Sequence, residues 1–255
     1  MPIANATPRL EIIAELHPQH SGDMGLLREM IRQASRNGAD VAKVQLYDAE
    51  ALLGSDRWNY LQLTEAQTRQ IKAWCDQDGL EFMASVFDHE RLGWCEALGV
   101  ARYKIASRTV TGDLALCRSI LNTGKEAVIS LGSWDGPGKP FGAEPRLRYL
   151  YCKSKYPAFL EDLVDFPDDF LGAGLAGYSD HTLGIEVALL AIARGAGLVE
   201  KHMTLDKTRG SPTEKGHVCS MTPGELHTLR QVGEGLARTR AAISAAAGKA
   251  QALPA

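Results

Sequence analysis

The sequence predicts an α/β protein that forms a (β/α)8 TIM barrel, and three observations lead to this class. Short apolar runs with strand character alternate with amphipathic helical segments, which is the order found in parallel sheets. Eight such runs and roughly seven connecting helices fit into 255 residues, the usual size of this barrel. A polar or charged residue stands near the end of every predicted strand, as expected where strands surround a site. A doubly wound open sheet is the alternative.

The first half of the chain contains four units of a strand followed by a helix. The strands are predicted at residues 10–16, 40–46, 80–86 and 102–106. The helices are predicted at residues 24–37, from a capping box at Thr64 and Gln67 to about residue 78, from a cap at Asp88 to residue 98, and at residues 113–123. This order is typical of a parallel sheet.

The second half is less regular. A strand is predicted at residues 127–131, but the following segment SWDGPGKPFGAEP is too rich in Gly and Pro for a helix, so the helix after strand five should be absent or shortened. The remaining strands are predicted at residues 146–152, 176–178 and 198–204, with helices at residues 159–164 and 183–194. A second capping box, at Thr222 and Glu225, starts the last helix. Residues 1–255 should therefore form a single barrel domain with a C-terminal helix and a short Ala-rich tail.

The composition is that of an ordinary globular protein and excludes several classes of partner. With 45% hydrophobic residues, 23% charged residues and a net charge of −3, the chain has no basic field that would attract nucleic acid or an anionic membrane. Its five cysteines are scattered, which favours a reducing compartment over a disulfide framework. The N-terminus lacks signal-peptide features, and no apolar run reaches the roughly 18 residues of a membrane span. We therefore expect a cytoplasmic protein.

Residues 177–205 indicate a strand, helix, strand unit with one histidine near the end of each strand. A crossover of this length makes the two strands parallel neighbours, so His181 and His202 should lie at the same end of the sheet. Ser179 shares a face with His181, and Glu200 shares a face with His202. Two convergent neutral imidazoles suit a divalent cation such as Mn, Fe, Co or Zn, with open positions for water and substrate. Alternatively, each histidine is simply a buried residue with its own partner.

Polar residues near the other strand ends should face the same cavity. They are Glu15, Lys43, Gln45, Ser85, Lys104, Ser130, Ser154 and Ser179. Lysines bind phosphate or carboxylate oxygens, hydroxyls add donors in fixed directions, and a carboxylate can act as a general acid or base. Taken singly, each lysine could instead extend to solvent, and Glu15 could be an ion-pair partner. The chain has no P-loop, G-x-G-x-x-G, H-E-x-x-H or G-x-S-x-G motif, which excludes the corresponding enzyme classes.

Seven segments of the chain carry a resemblance to a known family. They are IIAELHPQHSGD, GADVAKVQ, YKIAS, VISLG, YCKSKYP, GYSDHTLGIEVALLAIARGA and EKHMTLDK. In this order they resemble the catalytic domain of the sialic acid synthase family over roughly residues 10–225. The resemblance implies a TIM-barrel enzyme that condenses phosphoenolpyruvate with an N-acetylated aldose, usually N-acetylmannosamine. The implied products are a nine-carbon 2-keto sugar acid and phosphate.

The resemblance also implies roles for single residues. His181 and His202 correspond to the family's two metal ligands, usually for manganese, with Mg, Co or Zn as other candidates; the ion would polarise the sugar aldehyde. Glu15, Lys43 and Lys104 correspond to catalytic residues, with Glu15 handling protons and water. The positions that hold phosphoenolpyruvate correspond to Lys43, Ser85, Lys104, Ser107, Ser130, Ser154 and Ser179. Gln45 and Tyr156 correspond to sugar-side positions.

The sequence departs from the family pattern on the side of the acceptor sugar. Thr109 stands where the family has an acidic residue, Gln19 replaces an Asn, and Thr213 or Gly216 stands where an Asp is usual. The family's C-terminal antifreeze-like domain, which lends an arginine to the partner subunit's sugar site, has no counterpart in this sequence. The resemblance therefore predicts the donor substrate and the metal. It leaves open which sugar is the acceptor, whether the chain forms a homodimer, and whether a separate polypeptide takes the place of that domain.

Two other functions fit the same residues. A barrel that has lost its sugar site could bind an anion or a protein partner without turnover, as Thr109 and the missing domain would favour. An aldol-type lyase could act on a keto acid and an aldehyde. Release of phosphate from phosphoenolpyruvate separates the synthase from both alternatives, and formation of a carbon–carbon bond without phosphate would favour the lyase over the binding barrel.

Overall fold

The computed structural model describes residues 9–209 and 217–251, with side chains up to residue 246. Eight parallel strands follow one another around a closed barrel, and the last strand pairs with the first. The strands are β1 Glu11–Glu15, β2 Val41–Leu46, β3 Glu81–Val86, β4 Arg102–Ile105, β5 Glu126–Ser130, β6 Leu147–Cys152, β7 Gly177–Asp180 and β8 Leu198–His202. The predicted TIM barrel is confirmed, and the alternative of an open sheet is wrong.

Eight α-helices surround the barrel in the described ranges. They are α1 Met24–Arg36, α2 Ala49–Leu53, α3 Glu65–Gln77, α4 His89–Ala97, α5 Ser107–Gly112, α6 Leu114–Asn122, α7 Glu186–Ala193 and α8 Pro223–Gln251. The capping box at Thr64 and Gln67 forms as predicted, and Asp88 caps α4. Thr222 and Glu225 exchange the bonds of the second box at the start of α8. The sequence did not predict α2 and α5, which lie at the C-terminal mouth of the barrel.

Two connections lack an α-helix. Between β5 and β6 the Gly- and Pro-rich segment forms turns, as predicted. Between β6 and β7 the predicted helix at residues 159–164 is wrong, because only a 3-10 turn forms at Leu160–Asp162. The Asp162 carboxylate accepts the Phe159 N–H, and successive main-chain bonds span three residues instead of four. Helices therefore occupy five connections, not roughly seven.

The outer faces of β6 and β7 are covered by aromatic side chains. Tyr151 and Tyr178 point away from the barrel interior and pack with Phe166 and Phe170. The Phe166 ring meets both tyrosine rings edge to face, with ring centroids 5.3 and 5.4 Å apart. This aromatic cluster lies where the connection between β6 and β7 supplies no helix, and it packs against Val187 and Ala191 of α7.

Inside the barrel the strand alternation stacks side chains in layers. The lower charged layer, at the N-terminal ends of the strands, consists of Glu11, Glu81, Arg102, Glu126 and Arg148. An apolar layer consists of Ile13, Val41, Met83, Val128, Leu150 and Leu198. The upper polar layer consists of Glu15, Lys43, Ser85, Lys104, Ser130, Ser179 and Glu200. The upper polar layer opens at the end of the barrel where active sites of this fold lie.

No helix in the described ranges has both the length and the apolar character that crossing a bilayer requires. Residues 252–255, the end of the predicted Ala-rich tail, lie outside the described residues.

Candidate active site

A cavity of about 150 Å³ lies above the upper polar layer, and we call it the central cavity. The structure brings together all twelve residues that the sequence selected. The lining of the central cavity includes Glu15, Lys43, Gln45, Ser85, Lys104, Ser107, Ser130, Ser154, Tyr156, Ser179, His181 and His202. The predicted convergence at the strand ends is therefore seen in the fold, while the roles of these residues stay predictions.

Two lysines and two glutamates form one buried charge network beneath the central cavity. Lys43 pairs with Glu15, and its Nζ lies 3.7 Å from Glu200 Oε1. Lys104 Nζ lies 3.8 Å from Glu200 Oε2. Each residue is at most 6% exposed, so these charges have little contact with water. The four formal charges cancel, which makes their burial tolerable.

The network shifts the pKa values of the two carboxyl groups in opposite directions. Burial raises the pKa of Glu15, with repulsion from Glu200 adding to it and Lys43 opposing it. Burial also acts to raise the pKa of Glu200, but Lys104 and Lys43 outweigh it and lower the pKa. A pair of acids separated in this way can divide acid and base roles. The arrangement favours Glu15 as the group that gains and loses a proton.

The sequence analysis missed Glu200 and Cys152 as site residues. Glu200 accepts the Ser179 hydroxyl at 3.2 Å and contacts both lysines. Its signal was an acidic residue inside an apolar strand, on the same face as His202. Cys152 lines the central cavity with its Sγ 3.8 Å from His181 Nδ1. A cysteine in an apolar strand gives no sequence signal of this position.

The two predicted metal ligands lie side by side at the mouth of the barrel, at the ends of the paired strands β7 and β8. The ring centroids of His181 and His202 are 5.7 Å apart. His181 Nδ1 donates to the carbonyl of Lys153 at 2.7 Å, and His202 Nδ1 donates to Gln19 Oε1 at 3.1 Å. These bonds place the ring protons on Nδ1 and leave both Nε2 lone pairs available, which is the usual arrangement for histidines that bind a metal.

The spacing of the two rings fits one divalent ion. Two imidazoles that each place a nitrogen about 2.1 Å from a common ion have ring centroids roughly 5 to 6 Å apart. Burial lowers the pKa of His202 well below its ordinary value, which keeps this ring neutral. Burial acts in the same direction on His181, but Cys152 and the Lys153 carbonyl outweigh it and raise the pKa. The described residues contain no cluster of three or more His, Cys, Asp or Glu side chains suited to an ion, so the further ligands would be water or substrate.

A second cavity, of about 430 Å³, adjoins the central cavity and shares Gln45, Tyr156 and His202 with it. We call it the apolar-walled cavity, because leucine and aromatic side chains dominate its lining. The lining consists of His17, Pro18, Gln45, Tyr47, Leu52, Leu53, Trp58, Leu61, Arg108, Tyr156 and His202. Its wall comes mainly from α2 and the 3-10 turn Asp56–Leu61, which the sequence did not predict.

The departures from the family pattern fall in different places. Thr109 is buried and lines a third, outer cavity together with Arg108, and its hydroxyl has no hydrogen-bond partner in the described part of the chain. Gln19 lies behind His202 and accepts from its ring, while its expected place on the side of the acceptor sugar stays a prediction. Thr213 and Gly216 lie outside the described residues.

The fold and site together define the class of this protein. A closed (β/α)8 barrel that gathers lysines, carboxylates, hydroxyls and imidazoles at its C-terminal mouth is typical of a barrel enzyme. The chain belongs to the NeuB family, whose family model matches residues 30–244. The resemblance predicted from the sequence is thereby confirmed.

Known relatives agree with this assignment. N,N'-diacetyllegionaminic acid synthase of Legionella pneumophila is 32% identical, over 86% of this chain and 70% of that protein. N-acetylneuraminate-9-phosphate synthase of Homo sapiens is 30% identical, over 86% of this chain and 67% of that protein. The crystal structure of N-acetylneuraminic acid synthetase from Leptospira borgpetersenii in complex with citrate superposes with a TM-score of 0.82 at 26% identity, covering 94% of this chain and 89% of that one.

Proposed function

We propose that this enzyme condenses phosphoenolpyruvate with an aldose similar to N-acetylmannosamine, giving a 2-keto-3-deoxy sugar acid and inorganic phosphate. The observation that carries the proposal is the convergence of twelve predicted residues on one cavity above a buried lysine and glutamate network. The relatives named as synthases of legionaminic acid and N-acetylneuraminate 9-phosphate support the same type of product.

The central cavity offers donors suited to the phosphate and carboxylate of the donor substrate. Lys43 and Lys104 supply positive charge, and the hydroxyls of Ser107, Ser130 and Ser154 line the same space. Ser130 Oγ is buried without a hydrogen-bond partner among the described residues, as expected of a group that waits for a ligand. Lysine charges and hydroxyl donors on several strands would fix the donor in one orientation.

The proposed reaction balances as a carbon–carbon bond formation followed by loss of phosphate. The enol carbon C3 bonds to the aldehyde carbon, and the aldehyde oxygen takes a proton and becomes a hydroxyl. Water adds at C2 and loses one proton, and the C2–O bond to phosphate then breaks while the C2 hydroxyl gives its proton to the departing phosphate and becomes the ketone. Glu15, with its raised pKa, is the group we assign to these proton transfers.

A divalent ion fits the pair His181 and His202, and manganese is our first candidate, with Mg, Co or Zn as alternatives. When bound, such an ion would act as a Lewis acid on the aldehyde oxygen. The chain's own contribution is to orient both rings, His181 through the bond from its Nδ1 to the Lys153 carbonyl and His202 through the bond from its Nδ1 to Gln19. His202→Ala should weaken Mn²⁺ binding about tenfold or more in calorimetry, with a far-UV spectrum like that of the wild type. Unchanged Mn²⁺ affinity would remove the assignment.

Release of phosphate tests the function itself. The full chain is mixed with phosphoenolpyruvate, Mn²⁺ and a panel of aldoses, and inorganic phosphate and the new sugar acid are measured. We expect both to appear together with at least one aldose. No phosphate with any aldose would favour an anion- or partner-binding barrel. A new carbon–carbon bond from a keto acid without phosphate would favour an aldol-type lyase.

The cysteines bear on location. All five are buried and form no disulfide. The absence of disulfides among them suits a reducing compartment, and we infer a cytoplasmic enzyme from it.

A further inference from the structure

Two buried charges lie on the outer face of the barrel, directly beside the histidine pair. Asp180 is the last residue of β7 and Lys201 stands opposite it on β8, and both side chains are 0% exposed. Lys201 Nζ donates to Asp180 Oδ2 at 2.8 Å. Each residue directly precedes one of the predicted metal ligands, His181 or His202.

The position of this charged pair is unusual within the barrel. The side chains at the other outward-facing positions of the eight strands are apolar or aromatic. The strand register shows the contrast directly, because the neighbours of Lys201 are Asp180 on β7 and Ala14 on β1. A buried salt bridge gains little stability over apolar side chains of similar size. The charges therefore call for a reason other than stability.

The pair holds the main chain on both sides of His181. Asp180 Oδ1 accepts the N–H of Thr182 at 2.8 Å and the hydroxyl of the same residue at 2.7 Å. Lys201 Nζ donates to the Thr182 carbonyl at 2.8 Å. The residues before and after His181 are thus fastened to the residue that precedes His202. We call Asp180, Thr182 and Lys201 the outer clamp.

The outer clamp acts where the strand pairing has ended. The pairing of β7 with β8 stops at Asp180 and Lys201, so His181 lies beyond it. The His181 carbonyl accepts the Ala158 N–H at 2.9 Å, but that bond does not involve β8. Metal–nitrogen distances vary by only about 0.2 Å, so two ligands on separate strands need a firm link between the strands. The outer clamp supplies such a link.

We propose that Asp180 and Lys201 are positioning residues of the metal site, which hold His181 at the distance from His202 at which both rings reach one divalent ion. The inference rests on the function proposed above, and it concerns affinity for the ion. The two charges act through the histidines, because they face away from the barrel interior whereas both rings line the central cavity.

The test removes both charges and keeps the acceptor for Thr182. Lys201→Met alone would leave the buried Asp180 carboxylate unpaired, so it is combined with Asp180→Asn, whose Oδ1 can still accept from Thr182. Mn²⁺ is titrated into the full chain without substrates, and calorimetry measures its affinity. We expect the double variant to bind Mn²⁺ about tenfold to 100-fold more weakly than the wild type, with a far-UV spectrum like that of the wild type.

A matched control removes a similar pair at the other end of the barrel. Arg230 is 7% exposed, pairs with Asp40 and donates to the Leu10 carbonyl, near the N-terminal ends of the strands. Arg230→Met combined with Asp40→Asn should leave Mn²⁺ affinity within about twofold of the wild type, because the site is distant. Urea unfolding of both double variants separates a loss of affinity from a loss of stability.

A single hydroxyl of the outer clamp can also be removed with little change in shape. Thr182→Val deletes the hydroxyl that Asp180 accepts, and it should weaken Mn²⁺ binding about threefold to tenfold. Thr68→Val is its control, because it also deletes a buried hydroxyl with a partner, the Thr64 carbonyl at 2.9 Å, but on α3. This pair of variants decides the question if the double variant does not fold.

Three results would overturn the role of the outer clamp. They are a wild type that does not bind Mn²⁺, clamp variants that bind it within about twofold of the wild type, and control variants that lose as much affinity as the clamp variants. The phosphate-release assay judges the proposed function separately, because the wild type can release phosphate whether or not the clamp variants bind Mn²⁺ normally.

Discussion

Two layers of charged side chains fill this barrel, and they differ in how completely their polar atoms are paired. In the lower charged layer Arg102 binds Glu81 through two nitrogens at 2.7 and 3.0 Å and also pairs with Glu11 and Glu126. No buried atom of that layer lacks a partner in the described part of the chain. The upper polar layer, which lies beyond the apolar layer, leaves Ser130 Oγ and Glu200 Oε2 without a hydrogen bond among the described residues.

The difference indicates a structural role for the lower charged layer and a chemical role for the upper polar layer. A fully paired set of charges has nothing left to offer a ligand, so the lower charged layer closes the N-terminal end. An incompletely paired set costs stability, and it persists where a ligand completes it. The comparison predicts that changes in the upper polar layer affect activity and changes in the lower charged layer affect stability.

The largest expected effect concerns activity. Glu15→Gln keeps the size of the side chain but removes its ability to exchange a proton, so kcat should fall by about 100- to 10,000-fold. Phosphate release under saturating substrates measures it. Thermal unfolding of the same variant checks that the barrel is intact. A kcat within about threefold of the wild type would mean that the upper polar layer does not act through Glu15.

The next effect concerns stability. Arg102→Met leaves the carboxylates of Glu11, Glu81 and Glu126 with Arg148 as the one remaining cation of the lower charged layer, and Arg148 contacts Glu11 and Glu126 but not Glu81. The free energy of unfolding should therefore fall by about 3 kcal/mol. Urea unfolding measures it. The protein that remains folded should retain the wild-type KM for phosphoenolpyruvate. A raised KM with unchanged stability would reverse the division between the two layers.

A pH dependence sharpens the same contrast. Burial would raise the pKa of Glu11, but Arg102 and Arg148 outweigh it and lower the pKa below the ordinary 4.5. Glu11 therefore stabilises the fold fully above its ordinary pKa, and this contribution is lost as the pH falls through the lowered value. When the pH is lowered from neutral to below that lowered pKa, the free energy of unfolding should fall less in Glu11→Gln than in the wild type. Urea unfolding at both pH values measures it. Parallel curves for the two proteins would count against this role.

The smallest expected effect is at Ser130. Ser130→Ala removes a buried hydroxyl that has no partner among the described residues, so the free energy of unfolding should stay the same or rise by up to about 1 kcal/mol. The affinity for phosphoenolpyruvate should fall several-fold, because a donor is lost. Calorimetry with the donor and urea unfolding separate the two quantities. A clear loss of stability would show that the hydroxyl is part of the framework.

Strand alternation explains how much of the site the sequence could predict. Lys43 and Gln45, or Ser179 and His181, are two residues apart near a strand end, so the alternation of side chains alone puts each pair on a common face. The helix caps at Thr64 and Asp88 were readable for a similar reason, since capping depends on a few neighbouring residues. Sequence patterns of a few residues were sufficient where the structure depends on contacts between residues that are close in the chain.

Other parts of the molecule depend on contacts that no local pattern contains. Glu200 was seen as an acidic residue on a strand, but its meeting with Lys43 and Lys104 depends on closure of the barrel. The same holds for Arg102 and its three glutamates. The helix α2 is only five residues long, and its position beside Tyr47 arises from packing at the mouth. The hydrogen bond between His17 and Tyr47 was also missed, because 30 positions separate the two residues in the chain.

The two connections without α-helices leave one side of the barrel thin. Elsewhere α-helices cover the strands, whereas β6 relies on a few large rings around Phe166, which pack beside Val187 and Ala191 of α7. Loss of one ring there would admit solvent to the outer face of β6, because neither connection next to that strand contains an α-helix. Opening of the sheet should therefore begin at β6 and β7, and the chain would come apart from that side while the strands opposite still hold.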